Sequence, residues 1–242
     1  MDKPSGWTSH DVVAVVRRAL GARRVGHGGT LDPLATGVLP LLVGRATRSA
    51  DLLHRARKVY AARVTFGTET ATDDRAGAVR REGPLPELDR ASLDRALEAF
   101  RGEIEQVPPE HSAVKIGGRR AYAIARGGGE ARPKARRVSV HRLAIASWSP
   151  PDLRLLIVCG SGTYVRSLAR DIGRALGSAA HLAALRRLAV GALTVEDAAD
   201  LGRLRAASHD QISARLRPAD DRLLELDPRY EAEPAEVLVA AD

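Results

Sequence analysis

Aromatic residues make up only 3% of this 242-residue chain. Its core must therefore be filled by Leu, Val, Ala and Ile, and each remaining ring gains weight as a candidate ligand contact. The one cysteine, Cys159, excludes an intrachain disulfide framework and fits a reducing compartment. No Cys/His cluster has zinc-ligand spacing. No apolar run reaches the length of a membrane span, and the stretch Met1-Asp2-Lys3-Pro4-Ser5-Gly6 lacks the apolar centre of a secretion signal. The expectation is a cytoplasmic protein with no metal and no membrane attachment.

Against these shortages stand 44% hydrophobic residues, enough for a real core and for one large domain, or one domain with a small appendage. The net charge of +8 suits a polyanionic partner, nucleic acid foremost, although an arginine-rich proteome would give the same sign.

The pattern along the chain is mixed. Ser9 reads as the N-cap of a helix with Val12, Val13, Val16 and Leu20 on one face, stopping at Gly21. Val38–Val43 is a short apolar run, Ala46–Leu53 looks helical, and Lys58–Phe66 alternates as a strand. Gly67–Gly77 reads as a polar loop. A helix is expected over Leu88–Phe100, capped by Ser92, and a short strand over Ser112–Ile116 before the Gly117-Gly118 turn. Ala121–Arg126 reads as a short helix stopped by Gly127-Gly128-Gly129. Val138–Trp148 and Leu153–Cys159 form an antiparallel pair, Tyr164–Leu176 a helix, His181–Leu188 a second short helix, and Ala189–Thr194 a strand. Beyond Leu201 the signals weaken. Without strict β-α-β alternation, the expected class is α+β with a largely antiparallel mixed sheet flanked by helices.

Chemistry concentrates in two segments. The run Gly26 to Pro40 holds one carboxylate, Asp32, one imidazole, His27, and two threonines among glycines and prolines that fix a path other residues would resist. Pro33 pushes Asp32 towards an extended backbone, so its side chain can project from a rigid loop. An isolated Asp beside Pro would ordinarily cap a turn; the glycine-dense setting favours function, since glycine lets a ligand approach the backbone. His27 reads equally as a solvated loop residue or as a ligand contact. The second segment runs Gly160-Ser161-Gly162-Thr163-Tyr164-Val165-Arg166-Ser167, a glycine turn leading into a helix. Arg166 there could pair with a buried carboxylate, or the segment could be only a helix cap. Tyr60 follows the cationic run Arg55-Ala56-Arg57-Lys58, as a base-stacking ring would, or it is a strand tyrosine facing the core. Leu185-Arg186-Arg187-Leu188 reads as helix core plus surface charge. Arg119, Arg120, Arg126 and the run Arg132 to Arg137 read as a solvated loop or an RNA grip.

Taken in order, Asp2-Lys3-Pro4-Ser5-Gly6-Trp7-Thr8-Ser9, the Gly26–Pro40 loop, Lys58-Val59-Tyr60, Ser112-Ala113-Val114-Lys115, Gly162-Thr163-Tyr164-Val165-Arg166 and Leu185-Arg186-Arg187-Leu188 resemble the TruB family of tRNA pseudouridine synthases, over Asp2 to about Ala199. The resemblance implies the pseudouridine synthase fold and a cofactor-free isomerase that converts uridine 55 in the T-loop of tRNA. It implies Asp32 as the catalytic carboxylate and His27 as a residue that holds the disrupted T-loop. It also implies Tyr60 stacked on the flipped uracil, Tyr164 and Leu185 lining the base pocket, and Arg166 paired with Asp32. The partner implied is the tRNA T-stem-loop, bound by a monomer with no obligate protein partner. The reaction breaks the N1–C1′ bond, turns the uracil and rejoins it through C5, so no redox partner is needed. A carboxylate can attack C1′ or remove a sugar proton, and extrusion of the base costs a few kcal/mol that stacking offsets.

The catalytic domain is expected over residues 1–200, with an RNA-clamping insertion at about 117–137, and residues 201–242 as a short segment, truncated or vestigial beside a PUA-like domain. The part from Asp227 to Asp242 is acidic. His111 stands where many relatives carry tyrosine. Two other classes remain open: a non-catalytic RNA-binding or RNA-folding module on the same scaffold, and a carboxylate hydrolase, which would want a second acid near Asp32.

Overall fold

The computed structural model describes residues 1–127 and 129–231, so Gly128 and the end of the acidic stretch, residues 232–242, lie outside the described residues. Fourteen strands are described: β1 Asp2–Lys3, β2 Val25–His27, β3 Thr36–Val38, β4 Leu41–Val43, β5 Lys58–Phe66, β6 Thr68–Thr70, β7 Val79–Glu82, β8 Gly102–Gln106, β9 Lys115–Ile116, β10 Arg119–Arg120, β11 Arg136–Ser149, β12 Asp152–Cys159, β13 Ala180–Val190 and β14 Leu193–Thr194. The α-helices are α1 Ser9–Ala19, α2 Ala50–Arg55, α3 Arg90–Leu97, α4 Ala121–Arg126, α5 Val165–Ala175, α6 Leu201–Ala206 and α7 His209–Ser213. The main sheet runs β1-β3-β13-β5-β12-β11-β8, with β14 beside β13. Its β3/β13 pair is parallel, whereas β1/β3, β11/β12 and β8/β11 are antiparallel. This is the expected α+β class.

The chain forms two compact units: Met1–Ala61 with the chain from Leu185 onward, and Ala62–Ala184. In the first, Val38, Leu42, Leu53, Ala56 and Val190 form one apolar cluster, and Val16 of α1 and its C-cap Leu20 form another with Leu204 and Ile212 of α6 and α7. Asp200 caps α6, and a Ser208/Gln211 capping box starts α7, which gives form to the region beyond Leu201 where the sequence was weak. In the second unit, β12 pairs with β11 from Val140/Cys159 to Ser149/Asp152, and the earlier part of β11 pairs with β8. Leu93 and Leu97 of α3 are fully buried, and Arg90 of that helix donates to the Ile145 carbonyl at 2.5 Å. Trp148 donates its indole N–H to Leu88 O at 2.8 Å and meets Phe66 edge-on at 5.5 Å.

Several local expectations are corrected. Residues 181–188 are not a helix but the centre of β13. Arg186 pairs with Thr36 and Arg187 with Gly37 in parallel register, and that pairing outweighs the helix preference of Leu, Ala and Arg. The 67–77 segment is not all loop: β6 pairs with β7 as a hairpin. The expected 112–116 strand shrinks to β9, which turns through Gly117 and Gly118, both at positive φ, into β10. The run 189–194 turns at Gly191 (φ +52) and returns as β14. Thr8, not Ser9, caps α1, in a reciprocal box with Asp11. Asp89, not Ser92, caps α3, accepting from the Ser92 N–H at 2.7 Å.

Candidate active site

The loop that carries Asp32 is an excursion from a short ladder. Strand β2 pairs with β4 through Val25/Val43, Gly26/Leu42 and His27/Leu41, and Gly28 N–H extends the ladder to Pro40 O at 2.9 Å. Gly28 must be glycine: a Cβ there would fall 2.6 Å from Cβ of Leu53 on α2. The excursion beyond it is pinned from several sides. Freed from capping, the Ser9 hydroxyl accepts from Leu31 N–H at 2.9 Å and donates to Leu31 O at 3.1 Å. Gly6 N–H donates to Pro33 O at 2.8 Å, and the Lys3 ammonium donates to the carbonyls of Pro4, Trp7 and Pro33 at 2.9, 2.7 and 3.3 Å. Ala35 N–H closes a turn on Asp32 O at 3.0 Å. Thus Asp32, half-buried, sits at the head of a tight turn whose neighbours on both sides are tied down.

Two cations stand beside this turn with little water around them. Lys3 is 0% exposed, and burial pulls its ammonium down to about 8, while the nearby Asp32 carboxylate pulls the other way. Arg187 of β13 is 2% exposed. His27, half-buried, has its imidazole pKa lowered by burial first and then by Arg187, His10 and His54. Its Nδ1 is buried without a hydrogen-bond partner among the described residues. Tyr60 on β5 is 9% exposed and Leu185 on β13 is 8% exposed. His27, Asp32, Tyr60 and Leu185 all belong to the first unit.

Tyr164 and Arg166 belong to the second unit, at the start of α5. The side-chain amide of the buried Gln106 clasps the Tyr164 backbone, accepting from its N–H at 2.7 Å and donating to its C=O at 3.1 Å. The Arg136 guanidinium lies over the Tyr164 ring at 4.9 Å. Arg166, 5% exposed, donates to Thr72 O at 3.0 Å and His111 O at 3.2 Å, and its Nε lies 3.9 Å from Asp74 Oδ2. Because the contact at residue 111 is to a carbonyl, it is indifferent to histidine standing in place of tyrosine. Asp74 is fixed in turn by the Thr72 hydroxyl at 2.6 Å and Ala76 N–H at 2.9 Å.

Sequence reasoning missed the buried charges. Arg187 was expected on a helix surface and is instead enclosed. Asp73 is held at φ +58 and pairs with Arg170 at 2.8 Å; burial pushes its carboxyl up to about 6 against the pull of Arg170 and Arg166. Arg166, Arg170 and Arg174 are spaced by four on α5, and each meets an acid of the 69–74 segment. That spacing was a visible signal. Among the described residues no group of three or more His, Cys, Asp or Glu could hold a metal ion, and no helix is long and apolar enough to cross a membrane.

Two family models match: the TruB family pseudouridylate synthase N-terminal domain over residues 17–165, and the tRNA pseudouridylate synthase B C-terminal domain over residues 166–224. The chain is 50% identical over 214 residues to tRNA pseudouridine synthase B of Thermobifida fusca, covering 85% of this chain and 73% of that one. It is 45% identical over 238 residues to the protein of the same name from Ralstonia nicotianae, covering 96% and 74%. Among solved structures, a Cbf5-Nop10-Gar1 complex matches with a TM-score of 0.67 and 29% identity, over 93% of this chain and 58% of that chain, so this chain spans less than two thirds of its solved neighbour. The chain belongs to the TruB family of pseudouridine synthases, isomerases that convert uridine to pseudouridine.

Proposed function

We propose that this protein isomerises uridine 55 in the T-loop of tRNA, with Asp32 as the carboxylate that acts at the sugar. The observation that carries the reading is the pinned turn. A single half-buried acid is presented by a loop whose backbone is fixed at Leu31, Pro33 and Ala35. Such rigidity is what orientation-dependent catalysis requires. In the reaction the N1–C1′ bond breaks and a C5–C1′ bond forms, while C5 loses a proton and N1 gains one. Asp32 serves this either as nucleophile at C1′ or as base towards a sugar proton. The target base must leave its stack; Tyr60 would then stack on it, Tyr164 and Leu185 would border it, and His27 would hold the opened T-loop. Arg166, by family resemblance, pairs with Asp32 and aims it.

The basic stretch at about 117–137 grips the RNA in this reading, through Arg119, Arg120 and their neighbours on β10 and α4. The protein works on tRNA as a monomer, without an obligate protein partner and without a cofactor. Tritium release tests the site assignment. A T-stem-loop labelled at C5 of uridine 55 should lose its label, and a transcript with cytidine at that position should give no pseudouridine. Product in the cytidine transcript would overturn the assignment. A sedimentation run that shows a stable dimer would overturn the monomer.

A further inference from the structure

Asp32 is held by more than its nearest neighbours. The guanidinium of Arg187 donates from Nε to Val38 O at 2.7 Å, from Nη2 to Gly29 O at 3.2 Å and from Nη1 to Thr30 O at 3.4 Å. These acceptors flank Asp32 on both sides: two precede it and one follows it. One planar group thereby joins the two limbs of the turn. The backbone of the same residue touches the same loop, since Arg187 pairs with Gly37 in the parallel register of β3 and β13. A Cβ at Gly37 would lie 2.2 Å from Arg187 O, so the contact leaves no room for any other residue there.

The electrostatics of Arg187 are unusual. It is 2% exposed, and its guanidinium meets three backbone carbonyls. A buried cation is costly to keep unless polar groups meet it, as these carbonyls do. A fork of fixed geometry is needed to reach three carbonyls at once, and a lysine ammonium cannot reproduce it.

We propose that Arg187 is a positioning residue of the isomerisation, which sets the aim of the Asp32 carboxylate through the carbonyls of Gly29, Thr30 and Val38. The proposal rests on Asp32 being the reacting carboxylate. Arg187 acts in this proposal through the loop backbone rather than on the base or the sugar. It decides how squarely the acid meets C1′, so its loss should lower the rate of the bound complex while RNA affinity is kept.

The test compares wild type, Arg187→Lys, Arg187→Met, Gly29→Ala and Asp32→Asn on a T-stem-loop transcript. Single-turnover rate, RNA Kd and the pH dependence of the rate are read for each, with folding checked by circular dichroism. Arg187→Met should lose about 100-fold in rate with Kd within roughly threefold of wild type, as expected for a misplaced reacting group. Arg187→Lys should recover part of that loss. Gly29→Ala disturbs the loop side at a residue of φ +131 while leaving Arg187 in place, and should show the same split. It decides the matter if the Arg187 variants do not fold. Folded variants that turn over within about twofold of wild type, or whose rate falls only in step with affinity, overturn the proposal. If Asp32→Asn is active, the reading of the acid fails as well; if Asp32→Asn is dead while Arg187→Lys is normal, only the role of Arg187 fails.

Discussion

Gly37 shows how narrowly the loop is specified at the scale of single residues. Its φ is +100, and a Cβ would strike the Arg187 carbonyl. Gly37→Ala should cost about 2–4 kcal/mol in urea unfolding, from strain and steric conflict together. A loss under about 0.5 kcal/mol would mean that the loop can move away. Asp73 gives a second test, in pH. Burial raises its folded pKa from 3.8 to about 6, so between those values the folded state holds more protons than the unfolded state. Its contribution to stability therefore falls as pH rises from about 4 to about 6. Asparagine tolerates positive φ, so Asp73→Asn should fold and should lack this slope in Tm against pH. An unchanged slope would assign the titration elsewhere. The fixed loop around Asp32 was legible in the sequence because proline and glycine advertise it. Arg187 and Lys3 were not, because a buried cation and a surface cation are written with the same letters. Had β13 been read as a strand, Arg186 and Arg187 would have been assigned to opposite faces, one of them inward.

Element by element, the legible strands and helices were those with a clear period or a clear break. β5 alternates, α5 carries Val165, Leu168 and Ile172 on its buried side, and the β11/β12 pair is broken by two prolines. β13 failed because its Leu, Ala and Arg favour a helix and most of its residues are buried, so no period of two opposes that preference. The caps of α1 and α3 were misplaced because Thr8 and Ser9 are equally good caps in isolation, and only the tertiary bond from Ser9 to Leu31 decides between them. The face that α5 turns to the 69–74 segment supports a prediction of its own. Arg170 donates to Asp73 at 2.8 Å in a buried setting and also to Val107 O at 2.9 Å. In a double-mutant cycle, Arg170→Met alone should destabilise by about 3 kcal/mol or more, because it strands a buried acid. Adding Asp73→Asn should return part of that loss, with a coupling of about 1–3 kcal/mol. Strict additivity would show that the pair is not coupled.

The whole molecule carries a net charge of +8, and that excess bears on RNA rather than on fold. Affinity for a T-stem-loop should fall steeply with salt. Replacing Arg119 and Arg120 by alanine, both exposed on β10, should flatten the plot of log Kd against log salt by about 0.7 to 0.9 for each phosphate no longer neutralised. A slope identical to wild type would remove these residues from the RNA grip.

All of this converges on the Asp32 carboxylate, and Asp32→Asn interrogates it with the smallest change in shape. Purified wild type and variant, each given saturating T-stem-loop transcript in single turnover, should differ completely in pseudouridine formed at residue 55 of the RNA. Wild type should convert the uridine, and the variant should bind equally well and form none. Conversion by folded Asp32→Asn at the wild-type rate would contradict the account.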